Sequence, residues 1–487
     1  MVEARGPLLL TVDLGTTNCK AAAFTLDGRQ AAGATASYPT LTPREGWYEQ
    51  RPADWQAAVE QAVRQVADAL GGTDRVAGLC LSGWGPGLVL LDADGRTLND
   101  ASPTWQDVRS LEHGRALVAR AGADWVGGGM PLTGFPAKLA WAIDAWPELT
   151  SVAAYAVGVK DFVVRWLTGV VVTDPSSGPY ATTWPDAVVA ALGWEVERLP
   201  AVAPSTDVIG HLLPERAAAL ALPAGLPVVN GLNDGAAATL GVGAYRCGDA
   251  VVSLGTNGVF RLVTARPITP QICLERSLFR YPLVSDTWGC GGFVLAGGSA
   301  LAWLADAVGG TGGPPELELL LREADEAPPA SEGVVFLPYL VGRGSPDSDP
   351  DAAASFAGLR TRHRRGHLTR AVLEGVAYGV RDISATLAEL GLATERLFVT
   401  GGGAASRLWR GIFANVLALP AAHSAGDSNL GAAAVLAVGV GLADDVEAAL
   451  RQLVPEPEVT TTTLAHIVAY ENGYAAYRAA AAGAVRA

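Results

Sequence analysis

Residues 8–24 read LLLTVDLGTTNCKAAAF. An apolar run, then Asp13-Leu14-Gly15-Thr16-Thr17, then a second apolar run describe a strand, a tight glycine turn and a returning strand. Gly15 lets the backbone come close to a bound anion, because no Cβ stands in the way. Thr16 and Thr17 set hydroxyl donors beside the turn amides, and Lys20 adds a positive charge. Asp13 is an oxygen ligand suited to a hard cation such as Mg²⁺. The stretch fits a cradle for polyphosphate and its metal, and it equally fits an ordinary hairpin of a sheet.

A second copy narrows the choice. Residues 251–261, VVSLGTNGVFR, repeat strand, Leu-Gly-Thr and strand, with Leu254-Gly255-Thr256 echoing Leu14-Gly15-Thr16. Two such hairpins in opposite halves of one chain point to a duplicated architecture in which each lobe presents a hairpin to a cleft.

The composition agrees with two lobes. At 487 residues the chain exceeds one ordinary core, and a hydrophobic fraction of 49% describes a folded protein. The net charge of −14 argues against a general nucleic-acid binder, which needs clustered Lys and Arg. A small anion held by backbone N–H groups stays compatible with it. Five scattered cysteines without CxxC spacing read as free thiols of a reducing cytoplasm. The start enters a strand without a signal-peptide layout, and no apolar stretch reaches membrane-span length, so a soluble cytoplasmic protein with no membrane partner is expected.

Along the chain, strands come first with helices interleaved, an α/β pattern. Residues 54–70 have helical spacing with Asp54 as N-cap, residues 134–141 lead into an amphipathic helix, and 88–91 read as a strand. Residues 310–331 read as linker and helix, 336–356 as a long Pro/Asp loop, 367–390 as a long helix and 470–486 as a terminal helix. His363 and His367 have metal-ligand spacing, but the arginines around them disfavour a cation. No GxSxG elbow is present, and Gly401-Gly402-Gly403 lacks dinucleotide-fingerprint spacing, which excludes a Rossmann dehydrogenase.

Three further stretches carry candidate chemistry. Residues 103–110, PTWQDVRS, gather an aromatic, an amide, an acid and a base. Trp105 can stack on a sugar while Gln106, Asp107 and Arg109 bond its hydroxyls; a helix start with a solvated charged face gives the same letters. Residues 227–243, PVVNGLNDGAAATLGVG, put Asn233 and Asp234 at a strand–helix junction, where α/β proteins place active-site groups. Asp234 can take the proton of an attacking hydroxyl, or merely cap its helix. Residues 398–407, FVTGGGAASR, expose backbone at Gly401, Gly402 and Gly403 against which a flat base can lie.

With these residues in view, the chain resembles, end to end, the FGGY carbohydrate kinases of the actin-like ATPase superfamily. Asp13–Thr17 with Lys20 resembles the first phosphate motif, Ser253–Gly258 the second, and Gly401–Ala404 through Trp409 the adenosine motif. Residues 135–141, FPAKLAW, and 338–359 resemble the family signatures. The resemblance implies two ribonuclease H-like domains flanking a central cleft, with residues 1–245 holding the sugar and the base and 246–487 the nucleotide. ATP and Mg²⁺ are the implied cofactors. Gly15, Thr16, Thr17, Lys20, Gly255, Thr256, Asn257, Gly298, Gly401, Gly402, Gly403 and Ala404 would hold ATP. Asp13 would hold hydrated Mg²⁺, and Asp234 would be the catalytic base.

Trp84, Trp105, Gln106, Asp107, Arg109, Asn233 and Asp234 would face the substrate. Xylulose is the first expectation, gluconate or another ketose or polyol the second, and a homodimer is implied. One departure stands out: Trp84-Gly85-Pro86-Gly87 lacks the polar side chains that family members aim at the sugar. It motivates a rival from another class, a non-catalytic sugar sensor on the same scaffold.

Overall fold

A computed structural model describes residues 6–127, 132–308 and 317–483. The first part of the 310–331 reading and the last residues of the 470–486 helix lie outside these residues.

The apolar run LLLTVDL forms the strand Leu8–Leu14, buried at every position. It pairs antiparallel with Asn18–Thr25, placing Lys20 opposite Asp13, and Gln30–Ser37 adds a third antiparallel strand. On its other side it runs parallel to Val76–Gly83, which runs parallel to Pro227–Asn233; Val208–His211 closes the edge antiparallel. The parallel strands are apolar because both faces are covered.

The second sheet repeats this design with seven strands. Asp249–Leu254 and Gly258–Thr264 form its hairpin, continued by Trp288–Val294 and Phe279–Pro282. Arg396–Thr400 and Ala421–His423 follow in parallel, and Glu458–Thr460 closes antiparallel. Each sheet is thus an antiparallel meander fused to parallel strands, as the paired Leu-Gly-Thr turns suggested.

Two helices join the halves. Asp234–Gly241 leaves the first sheet, and Ser428–Gly439, from the C-terminal half, lies against it. They touch at glycines: a Cβ on Gly241 would stand 1.8 Å from the Asp427 carbonyl oxygen, and one on Gly431 2.0 Å from that of Ala237. Only residues without a Cβ permit that approach. Ala432–Ala437 then pack into one core with Leu9, Ala22, Phe24 and Val229 of the first sheet. The C-terminal half is therefore not confined to the second sheet, although the expected division at 245/246 falls between Gly241 and Asp249, where the second sheet begins.

Some local expectations change. The first long helix is Pro52–Leu70 with Arg51 at its cap; Asp54 sits inside the first turn, where it complements the helix dipole. Phe135–Ala145 is not amphipathic, since Phe135–Ala142 are all buried, Lys138 among them. Its ammonium donates to the Thr133 carbonyl at 2.6 Å, and burial pushes it down to about 7. Val89–Leu91 pairs with Tyr155–Val157 outside the main sheets. The long Pro/Asp loop is flanked by the strands Val335–Leu337 and Ser355–Ala357. His363 and His367 accept the Arg360 and Arg364 backbone N–H groups through Nδ1, at 2.9 and 3.2 Å, at the start of Arg365–Glu389.

Candidate active site

Asp13, next to last in the first strand, lies beside Ser82 of the neighbouring parallel strand. The Ser82 hydroxyl donates to Asp13 Oδ1 at 2.6 Å, and the Ser428 hydroxyl donates to Oδ2 at 2.6 Å. Burial pushes the Asp13 carboxyl up, while these two hydroxyls and Lys20 pull it back. Each oxygen keeps acceptor capacity after one hydrogen bond. Among the described residues no cluster of three His, Cys, Asp or Glu forms a cage for a metal. A single buried carboxylate fits Mg²⁺ carried with phosphate and water, which relies on one or two protein oxygens.

Both glycine turns close on themselves. Gly15 N–H donates to the Asn18 carbonyl at 3.0 Å, and Gly255 N–H to that of Asn257 at 3.0 Å. The first turn is tied down by Gln50, whose Nε2 donates to the Thr16 carbonyl at 2.5 Å, and by the Tyr38 hydroxyl, which donates to the Gly15 carbonyl. Thr17 and Lys20 stay exposed. The second turn seats the start of the helix Gly298–Ala307: Gly298 N–H donates to the Gly255 carbonyl at 2.8 Å, and Ser299 Oγ to that of Thr256 at 2.8 Å.

The triple glycine follows Arg396–Thr400 and opens a short 3₁₀ turn, Gly402–Ala405. Gly401 must be glycine: its φ is +87°, and a Cβ there would stand 2.7 Å from the Leu254 carbonyl oxygen. Gly402 is different: it has no positive φ, and a Cβ would meet nothing within 4 Å. Neither backbone nor packing calls for glycine there, so the open face is free for a flat ligand. Arg410 Nη1 grips the Ala404 carbonyl at 2.7 Å from below. The open turns and this bare face fit a nucleotide.

Asp234 owes its aim to a break in its strand. The register between Pro227–Asn233 and Val76–Gly83 shifts between Val229 and Leu232, where Gly231 takes φ +79°. Such an irregularity re-aims the residues after it. Asn233 then caps the helix, accepting Ala236 N–H at 2.7 Å, so Asp234 is not the cap. Its carboxylate accepts only Gly235 N–H, at 2.7 Å, among the hydrogen bonds of the described residues. Burial first, and the Asp13 charge second, push Asp234 up to about 6, against the pull of Arg261.

Asp234 stands on the wall of a cavity of about 190 Å³ lined from both halves. Thr16, Trp84, Trp105 and Asn233 line it from the first half, and Asn257 of the second turn from the other. Trp105 Nε1 donates to Thr16 Oγ1 at 3.0 Å, joining the sugar-like segment to the first hairpin. Trp84 is buried edge-on against Trp55 with ring centroids 5.8 Å apart, so it shapes the wall as bulk.

Three expected substrate contacts sit elsewhere. Gln106, Asp107 and Arg109 do not line this cavity. Asp107 is fully buried; it accepts Tyr48 N–H at 2.8 Å and Arg109 Nη2 at 2.7 Å. Arg109 also pairs with Glu49 at 2.6 Å and covers the Trp47 ring at 3.6 Å. The acid and base of PTWQDVRS thus spend their hydrogen bonds on each other and on the 42–52 loop. Asn233 lines the cavity, but its amide donates to the Ser176 carbonyl at 2.7 Å.

The sequence reading missed Ser176, Tyr180, Arg261, Phe279, Tyr281 and Phe293, all of which line the cavity. Ser176 Oγ accepts Asn233 N–H at 2.9 Å and donates to Asp174, so it also holds the cap. The available signal was the period-two spacing of Val259 with Arg261 and of Phe279 with Tyr281, which puts each pair on one sheet face. The C-terminal sheet contributes more of the wall than the resemblance implied.

Comparison with known proteins follows the same lines. The profile of the FGGY family of carbohydrate kinases, N-terminal domain, matches residues 8–241, and that of its C-terminal domain matches residues 250–440. The chain is 31% identical over 419 residues to the xylulose kinase of Escherichia coli (strain K12), covering 84% of each. It is 28% identical over 431 residues to the gluconokinase of Bacillus subtilis (strain 168), covering 84% of this chain and 82% of that one. The solved xylulose kinase from Rhodospirillum rubrum superposes with a TM-score of 0.87 at 31% identity, over 98% of each chain.

Proposed function

The chain belongs to the FGGY family of carbohydrate kinases, and we propose that it moves the γ-phosphate of ATP to a hydroxyl of a small sugar with Asp234 as general base. The observation that carries this is the place of Asp234: a half-buried carboxylate, lifted to about 6, on a cavity wall shared with the turn residue Asn257. A base of that strength is ionised at neutral pH and still takes a proton as the hydroxyl attacks.

Bound ATP with Mg²⁺ supplies the phosphoryl group to be transferred. Around it, Thr16, Thr17, Lys20, Thr256 and Asn257 would donate to phosphate oxygens, Gly15 and Gly255 would let those oxygens approach the turn backbone, and Asp13 would orient the hydrated metal. Gly298 and Gly401–Ala404 would bed the adenosine. Trp84 and Trp105 wall the acceptor. Alignment and charge stabilisation by these groups supply most of the rate, since phosphoryl transfer leaves the protein little covalent chemistry.

Xylulose is the first acceptor by resemblance, and relatives of both the xylulose and the gluconate kind occur at similar identity. Arg261 on the cavity wall favours the acid. A cytoplasmic location and a homodimer complete the proposal; no described helix is long and apolar enough to cross a membrane. The test is ADP release over a panel of pentuloses, hexonates and polyols. Sugar binding without ADP release from any of them would favour the sensor reading instead.

A further inference from the structure

Arg261 stands on Gly258–Thr264 and is the only Lys or Arg that lines the cavity among the described residues. Its Nη1 donates to Ser253 Oγ at 2.9 Å. No carboxylate pairs with it within ion-pair distance among the described residues, and Asp234 acts on it only through space. Arg261 is half-buried and shares the cavity wall with Val259, Phe279, Phe293 and Tyr281. A cation drawn out of water among such groups is unfavourable until an anion meets it.

A second polar group converges on the same corner. A Cβ on Gly235 would lie 2.8 Å from the Tyr281 hydroxyl and 3.3 Å from Arg261 Nε, so both reach the turn that carries Asp234. The Tyr281 hydroxyl is buried against Arg261 and Thr239, and neither gives it a well-aligned hydrogen bond. A forked cation with a hydroxyl beside it is complementary to a carboxylate, whose two oxygens take parallel N–H donors and leave lone pairs for the hydroxyl.

We infer that the acceptor is a sugar acid and that Arg261, assisted by Tyr281, reads its carboxylate. The inference rests on the kinase reading and adds the charge of the substrate to it. A protein of net charge −14 draws no anion by its overall field, so a local cation inside the pocket has a specific job. Two other jobs are open to the same side chain, holding the phosphoryl group in transit and tuning Asp234. Both would act on every acceptor alike, whereas carboxylate recognition acts on acids alone.

The experiment is ADP release by the full chain at saturating ATP and Mg²⁺, comparing gluconate and other aldonates with xylulose and neutral polyols. The unmodified protein is expected to favour an aldonate at least ~10-fold in kcat/KM. Arg261→Met should cut the acid-to-neutral ratio by about 100-fold, chiefly through KM for the acid, as losing a charged hydrogen-bonded pair does. Arg261→Lys should recover part of the ratio, because it restores the charge and not the fork. A nucleotide-dependent rise in melting temperature certifies that each variant is folded, and the acceptor panel on the unmodified protein stands without any variant. Preference for the neutral acceptor, or an equal loss on both classes in Arg261→Met, overturns the inference and leaves the kinase reading intact. ADP release from neither class removes both.

Discussion

The Ser428 hydroxyl donates to Asp13 Oδ2 at 2.6 Å, joining residues 415 positions apart. Next to it, Thr11 Oγ1 donates to Asn429 Oδ1 at 2.9 Å. The first turn of a helix from the C-terminal half thereby holds the carboxylate at the end of the first strand. The junction between halves and the proposed metal acid are one construction.

Ser428→Ala should therefore have two effects. Losing a hydrogen bond to a charged, buried group costs about 1.5–3 kcal/mol of stability, measurable by urea unfolding. The Ser428 hydroxyl also lowers the Asp13 pKa, so its loss lifts that group further. The Mg²⁺ concentration for half-maximal activity should then rise, and the rise should grow as the pH is lowered. A rise that is the same at every pH would count against this coupling.

Asp234 sets the acid limb of activity. With its pKa pushed up to about 6, kcat/KM should climb as pH rises through about 6 and then level. The same shift bears on stability. The folded pKa lies above the ordinary value of 3.8, so the native state binds the proton more tightly and stability falls as pH rises from there through about 6. Asp234→Asn removes that cost, so its melting temperature should exceed the parent's by on the order of 1–2 °C at pH 8 and match it at pH 4. Calorimetry at the two pH values checks the sign.

Gly402 and Gly401 should separate ligand space from folding. Alanine at Gly402 meets nothing within 4 Å and needs no positive φ, so stability should stay within about 0.5 kcal/mol while KM for ATP rises. Alanine at Gly401 meets the Leu254 carbonyl at 2.7 Å and a φ of +87°, so it should lose stability by more than about 1 kcal/mol. Urea melts with ATP titrations distinguish the pair. An unchanged ATP KM in Gly402→Ala would take the triple glycine out of the nucleotide site.

Trp105→Phe keeps an aromatic ring and deletes the N–H that reaches Thr16 Oγ1 at 3.0 Å. The loss of one neutral hydrogen bond predicts roughly a 3–10-fold fall in kcat/KM for the acceptor. Because the bond ties the acceptor wall to the phosphate turn, KM for ATP should move in the same direction. Steady-state kinetics with each substrate varied in turn measures both.

The hairpins were legible because their signals are local. Alternation, a glycine turn and an acid at the strand end all lie within Leu8–Phe24, and the second copy repeats them. The crossing of Asp234–Gly241 with Ser428–Gly439 was not, since small residues at Gly241 and Gly431 mark a close approach without naming the partner. Asp107 and Arg109 were read as sugar contacts because pockets and buried ion clusters use the same letters. What separates the two is the arrival of Tyr48 N–H and Glu49 from another loop. Arg261 and Tyr281 were missed for the opposite reason: period two groups each with a neighbour on one strand face and does not say which face meets the cleft.

The most direct test of the account is phosphoryl transfer by Asp234→Asn. Asparagine keeps the size of the side chain, and the helix cap belongs to Asn233, so the fold and the nucleotide site should persist. The account predicts ADP release reduced by about 10²–10⁴-fold, the range that a positioned general base contributes, with ATP binding unchanged by calorimetric titration. ADP release at the parent rate by a folded Asp234→Asn protein would contradict it.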